Sequence, residues 1–135
     1  MHSLLLSRRD LEFMLYEWLD VAALSSAPRY ADHSRETFDA VLDTCERIAT
    51  EMFAPHNQKA DQHEPHFDGQ SVRLIDEVKP ALQAFADAGL LAATQDYDLG
   101  GMQLPAVVDK AGLTYLYAAN IGSSAYPLLT IGNAN

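Results

Sequence analysis

The chain has 135 residues, 48% of them hydrophobic and 21% charged, which is the size and composition of one ordinary globular domain. Its 19 acidic residues against 9 basic ones give a formal charge of −10, which repels a phosphate backbone or an anionic lipid surface and excludes nucleic acid as a natural partner. The one cysteine, Cys45, excludes an internal disulfide framework and a thiolate-built zinc site, and fits a reducing, cytoplasmic setting.

The opening Met-His-Ser-Leu-Leu-Leu-Ser-Arg-Arg carries its positive charges after a very short apolar run, the reverse of a secretory signal, and predicts neither export nor anchoring there. Ser7 with Asp10 has capping-box spacing, and Leu11, Met14, Leu15, Trp18 and Leu19 recur at helical intervals, so a first helix is predicted over 8–23 with those residues on its inward face. Ser25, Ser26, Pro28 and Arg29 interrupt it. Ser34 opens a second helix whose stripe runs Phe38, Val41, Leu42, Cys45, Ile48, Ala49, Met52 and Phe53. Pro55 cannot donate to the helical ladder, so a kink there with continuation to about 62 is predicted.

Polar residues with Pro65 and Gly69 mark 63–71 as a loop, after which 72–75 extends briefly. Glu77 or Pro80 begins a third helix with Val78, Leu82, Phe85 and Ala86 inward, and Gly89 stands where a left-handed cap is wanted. Leu90 and Leu91 pack after that stop. A second loop runs over 94–104 around Gly100 and Gly101, then Pro105 opens a fourth helix to about Asn120, and Ser123 or Ser124 caps a fifth. No stretch alternates with period two long enough to build a sheet, and the fold class is all-α with five helices.

Lys110 is the last charged residue, so 111–135 is an uncharged stretch that should be buried. Asn120, Gly122, Ser123, Ser124 and Pro127 interrupt it too often for a membrane span. The fifth helix still runs at Asn135 without a cap or a basic last turn, and this predicts that a covering surface comes from further polypeptide or another subunit.

Three groups invite a functional reading. His56, His63 and His66 beside Asp61, Glu64 and Asp68 are metal-ligand types, but His63-Glu64-Pro65-His66 is one residue short of the zinc-protease pattern, and Pro65 prevents the turn that would align two imidazoles. They read as solvated loop histidines, with no metal. Gly100-Gly101 lacks the third glycine, the Lys-Ser/Thr pair and the preceding strand of a phosphate loop, and reads as a tight turn. Tyr115, Tyr117 and Tyr126 have a ring-stacking reading beside a core-filling one. Cys45 lies on the inward stripe as a small apolar group, and no catalytic residue can be nominated from these 135 positions.

Several segments together carry a resemblance. Ser34-Arg-Glu-Thr-Phe-Asp-Ala-Val-Leu-Asp43 and Ile48-Ala-Thr-Glu-Met-Phe-Ala-Pro-His-Asn57 resemble the second long helix of acyl-CoA dehydrogenases. Phe85-Ala-Asp-Ala-Gly-Leu-Leu91 followed by Tyr97-Asp-Leu-Gly-Gly-Met-Gln-Leu104 is similar to that family's helix, Gly-Leu and Gly-Gly-x-Gly-Leu segment, and Tyr126-Pro-Leu-Leu-Thr-Ile-Gly-Asn-Ala-Asn135 to the start of its next helix. Arg9-Asp-Leu-Glu-Phe-Met-Leu-Tyr-Glu-Trp-Leu-Asp-Val21 is similar to the N-terminal extension of the longer bacterial members. Two positions depart from the pattern: Asp96 stands where the family usually has proline, and Gln103 where it usually has the third loop glycine.

The resemblance implies a 1–33 extension with one helix, a 34–135 N-terminal helical domain incomplete at its C-terminus, and a larger FAD-dependent enzyme that dehydrogenates an acyl-CoA thioester and passes electrons to an electron-transfer flavoprotein. It implies a homo-oligomer, a catalytic base and most flavin contacts beyond Asn135, and an inactive fragment that does not retain FAD. By position it nominates Tyr126, Leu128, Leu129 and Gly132 for the wall around the acyl chain. The alternatives are a stand-alone helical module whose uncharged end docks a partner protein, and a peripheral membrane domain.

Overall fold

Ser7 Oγ accepts the Asp10 N–H at 3.3 Å and starts α1 (Arg8–Glu12) in the computed structural model, which describes residues 3–134. The coil then widens to a π-helix over Phe13–Trp18, closed by the Leu19 N–H on the Met14 carbonyl, and breaks at Asp20, whose φ of 49° is left-handed. A 3-10 stretch, Val21–Ser26, follows. The wider turn changes which residues share a face. Leu11, Leu15 and Val21 are buried, whereas Met14, Trp18 and Leu19 are exposed, so the predicted inward face of this helix is corrected.

Ser34 and Thr37 close a complete capping box at the start of α2 (Arg35–Ile48), which buries Phe38, Leu42, Cys45 and Ile48. A π-turn (Ala49–Phe53) and a 3-10 turn (Ala54–His56) carry the chain past Pro55 into α3 (Asn57–Gln62), so the kink and the continuation are both found. The 63–71 loop folds back as a two-residue hairpin, β1 (His66–Phe67) against β2 (Val72–Arg73), antiparallel and exposed. Asp68 holds its tip by accepting the Ser71 and Gln70 N–H groups and pairing with Arg73, which draws its carboxyl down to about 2.

α4 (Val78–Asp87) ends as predicted at Gly89, φ 76°. α5 (Ala106–Ala119) starts one residue after Pro105, and α6 (Ile121–Ala134) follows across Asn120. Whether α6 finishes in a cap at Asn135 lies outside the described residues. The helices pack around one cluster in which Leu11 and Leu15, from the first 33 residues, join Phe38, Leu42, Phe85 and Leu116. Apart from the hairpin the fold is all-α.

α2 and α5 cross most closely where Gly112 faces Cys45: a Cβ on Gly112 would stand 2.7 Å from the Cys45 Sγ. Burial, with a smaller push from Asp109, raises the Cys45 thiol to about 12, so it is protonated and unreactive at neutral pH. Gly112→Ala gains helix propensity of about 1 kcal/mol but forces the helices apart, and overpacking of this kind costs about 1–3 kcal/mol. A net loss of stability is expected in urea unfolding. Adding Cys45→Ala is expected to remove most of it, because the clash is with that one sulfur. Equal losses with and without Cys45 would show that the crossing is set elsewhere.

The second loop ties the first 33 residues to the rest. Arg29 donates to the Asp96 carboxylate at 2.6 Å and to the Thr94 carbonyl at 3.2 Å, while Gln103 Nε2 donates to the Arg29 carbonyl at 3.0 Å. The two residues that depart from the family pattern, Asp96 and Gln103, are thus both partners of Arg29. Gln103 takes a left-handed backbone, φ 48°, of the kind glycine adopts readily, and its side chain makes a contact that glycine has no atoms to make.

Candidate functional site

α6 is held at its N-terminus by the kink after α2. The Asn57 N–H turns to Ala54, which takes it away from the Phe53 carbonyl it would meet in a regular α-helix, and Asn120 Nδ2 donates to that carbonyl at 3.1 Å. The other end of the same amide caps α6, its Oδ1 accepting the Ser123 N–H at 3.0 Å. The predicted cap at Ser123 or Ser124 is therefore corrected to Asn120. Both serines are buried behind it: Ser124 Oγ donates to the Leu116 and Asn120 carbonyls, and Ser123 Oγ lies 2.8 Å from His56 Nε2. His56 is only 2% exposed, so its reading as a solvated loop histidine is also corrected. His63 and His66 are exposed, as expected.

The expected burial of 111–135 is met by α5 and only half met by α6. α5 is enclosed along Ala111, Leu113, Tyr115, Leu116 and Ala119, whereas α6 buries one face, Ser123, Ser124, Pro127 and Ile131, and leaves the other open. All four nominated residues stand on the open side. Leu129 is 67% exposed, Leu128 40% and Tyr126 37%, and Gly132 is exposed with nothing within 4 Å of the place a Cβ would take. With 3.6 residues per turn, Leu129 and Gly122 centre this face, Ile121, Leu128 and Gly132 flank it on one side, and Tyr126 bounds it on the other.

Tyr126 also edges a cavity of ≈ 110 Å³ between α3, the loop after it and α6, where Ala60, Pro65, Ile75 and Val78 make an apolar wall. A larger groove of ≈ 660 Å³ along α4, from Val72 to Leu91, includes none of the four. The open face is mostly apolar, with Asn133 between Leu129 and Tyr126, and carries no charge, so it can cover an apolar ligand or another chain segment. It offers no acid, no base and no partner for a pyrophosphate. Among the described residues no group of three His, Cys, Asp or Glu side chains is placed to hold a metal. No helix of the described residues is long and apolar enough to cross a membrane.

Sequence reading missed two things here. Asn120 had the residue type of a cap but stood one turn before the expected position, and His56 was grouped with its sequence neighbours although Pro55 turns it inward. Gly100-Gly101 is the tight turn expected, with Gly100 at φ 80° and the Gly101 N–H on the Asp96 carbonyl at 3.0 Å.

No family model matches the chain. It is similar to the 3-methylmercaptopropionyl-CoA dehydrogenase of Ruegeria pomeroyi, 30% identical over 127 residues, which is 92% of this chain and 21% of that protein. Two butyryl-CoA dehydrogenases of Syntrophomonas wolfei are 33% and 29% identical over 86 residues, 61% of this chain and 14% of each relative. The chain thus spans about one fifth or less of the length of these curated relatives. The relatives matched along much or nearly all of this chain are thus acyl-CoA dehydrogenases, and its mostly helical fold is consistent with the N-terminal domain of that family.

Proposed function

We propose that these residues are the N-terminal helical part, 34–135 with a 1–33 extension, of an FAD-dependent acyl-CoA dehydrogenase, and that the open face of α6 is one wall of its acyl-chain site. The observation that carries the reading is the exposure of Tyr126, Leu128, Leu129 and Gly132 on a single uncharged face. An apolar face of this extent normally meets a ligand or further protein. The relatives' names point to short acyl-CoA thioesters as substrates.

The open face of α6 has no charged side chain to pair with a pyrophosphate and is not assigned to the flavin. We therefore assign the flavin and the catalytic base to other parts of the same polypeptide. What α6 contributes is exclusion of water from the acyl chain and a shape that selects it. Transfer of electrons to an electron-transfer flavoprotein, homo-oligomeric assembly and a cytoplasmic setting complete the proposal. The segment alone is proposed to be inactive.

The test uses the full-length polypeptide. Addition of butyryl-CoA or 3-methylmercaptopropionyl-CoA is expected to bleach the flavin absorbance. Leu129→Glu, which places a charge at the centre of the open face without touching the core, is expected to weaken acyl-CoA use by about tenfold or more, since a charge buried without a partner costs well over 1 kcal/mol. Leu129→Glu with the unaltered substrate profile would exclude α6 from the wall. A stand-alone helical module would instead leave the flavin and substrate tests silent and lose a protein partner.

A further inference from the structure

The face that the first helix turns to solvent has no role in the reading above. Phe13, Met14, Trp18 and Leu19 are all exposed, Trp18 at 69%. The π-winding over Phe13–Trp18 accompanies this, and such turns are uncommon and recur where a helix surface is used. Leu19 also opens an apolar groove of ≈ 440 Å³ that continues through Val21 and Leu24 to Val107 of α5. Four large apolar side chains beside an apolar groove are more than the scattered apolar residues of an ordinary monomer surface, and mark a place where another surface sits.

The charges on this face indicate which surface that is. Arg9 stands four residues before Phe13 and Glu17 four after it. The Arg9 guanidinium carbon lies 5.9 Å from the Phe13 ring centre, and its Nη1 meets Glu17 Oε1 at 2.7 Å, so a cation and an anion close over the ring from opposite ends. A two-fold axis through Phe13 exchanges those ends. A second copy laid antiparallel on the first therefore brings each Arg9 to the other copy's Glu17, with ring against ring between them. A parallel copy would set like charge on like. The bridge within one copy is well exposed on both sides and contributes little, so little is lost when its two ends find partners in another copy. An anionic lipid surface is the poorer occupant, because the chain carries a formal charge of −10.

We propose that this face pairs with the same face of a second copy of the chain, antiparallel and centred on Phe13, with two Arg9–Glu17 bridges between copies on its rim. Phe13, Met14 and Trp18 supply the apolar centre, and the rim bridges fix the register more than they add affinity. The inference rests on the homo-oligomeric assembly proposed above, whose surface it names, and not on the acyl wall.

Cross-linking in the full-length polypeptide decides it. Phe13→Cys, oxidised with copper phenanthroline, is expected to give a disulfide-linked dimer that the unaltered polypeptide does not give, because residue 13 meets its own copy at the axis. Val72→Cys, as exposed but on the hairpin, is expected to give none. In the Phe13→Cys background, Arg9→Glu makes the rim wholly acidic and Glu17→Arg makes it wholly basic, so each alone is expected to cut the yield of linked dimer by about tenfold, the scale of turning two rim pairs from attraction to repulsion. Co-expressed with different mass tags, the two are expected to recover the yield as the mixed dimer. A Phe13→Cys thiol that is freely alkylated and never links overturns the proposal. One that resists alkylation without linking also overturns it, since another part of the same polypeptide then covers the face. So does a linked yield indifferent to the charge reversals. Sedimentation separates the two failures: a monomeric full-length polypeptide removes the homo-oligomer and this interface together, whereas an oligomer that gives no link at residue 13 removes this interface alone.

Discussion

Replacing Gly101 by alanine is expected to lower the unfolding free energy by about 3 kcal/mol, the upper part of the range for forced overpacking. The added Cβ would lie 2.1 Å from the Gln95 carbonyl oxygen and 2.7 Å from that of Ala92. Both are backbone atoms, so no rotamer change relieves the contact. The loop must open, and opening it breaks the Gly101 N–H bond to Asp96 and the paired Gln103 and Leu104 bonds to Gln95 and Ala93. Gly100 makes the sharper comparison. It has the left-handed φ of 80° that favours glycine, yet its Cβ position is open, so Gly100→Ala is expected to cost only about 1–2 kcal/mol. Urea unfolding of the two variants should rank Gly101→Ala as the worse. The opposite order would mean that backbone strain, and not the close approach of the 92–95 segment, governs this turn.

That ranking shows where sequence reading stops. Local signals located α2 (periodicity and the Ser34 cap), the Pro55 kink, the Gly89 stop and the span of α5 after Pro105, because each depends on a local preference that neighbouring residues report. Which of two adjacent glycines is crowded depends on residues six and nine positions away folding back over it, and no local pattern carries that. The first helix misled for a related reason. Met14, Trp18 and Leu19 have α-helical spacing, and the chain leaves that spacing by winding as a π-helix and then turning left-handed at Asp20. The candidate wall was legible in outline: an uncharged run ending the sequence proved to be one enclosed helix and one helix with an open apolar side. Its anchoring was not legible, since Asn120 and His56 each act on a group 67 residues away.

The two family departures show the same dependence on distant partners. Taken alone, Gln103 in a glycine position suggests a different loop path. In the fold Gln103 takes a left-handed backbone, φ 48°, which glycine adopts readily, and returns a hydrogen bond to the Arg29 carbonyl, while Asp96 binds the guanidinium of that residue. The loop and the first 33 residues therefore specify each other, and a change at Arg29 is a change in the loop.

The most costly single charge to remove is Arg8. Its side chain is 6% exposed and gathers Glu12 at 3.1 Å, Asp43 at 2.9 Å, Glu46 at 3.5 Å and Asp39, whose carboxylate lies at 3.9 Å and carbonyl at 3.4 Å. Arg8 thus joins α1 to α2 through one guanidinium. Arg8→Met keeps the aliphatic stem but takes the cation away from the enclosed Glu46, while Asp43, Glu12 and Asp39 reach solvent; the loss is expected to lie between about 1 kcal/mol for an exposed pair and about 3–5 kcal/mol for a broken buried pair. The control is Arg9→Met. Arg9 pairs with Glu17 at 2.7 Å but both are well exposed, and such pairs contribute at most about 1 kcal/mol. Urea midpoints should therefore fall more for Arg8→Met than for Arg9→Met. Glu46→Gln, placed in the Arg8→Met background, is expected to return part of the loss, because Glu46 is the most enclosed of the carboxylates and its neutral form needs no cation. Arg8→Lys should fall between the wild type and Arg8→Met, since an ammonium supplies the charge but not the fork that reaches four acidic side chains at once. If Arg8→Met behaves like Arg9→Met, the cluster is solvated enough to lose its cation, and the attachment of the first helix rests on Leu11, Leu15 and the Tyr16 hydroxyl, which donates to Asp39 at 2.6 Å.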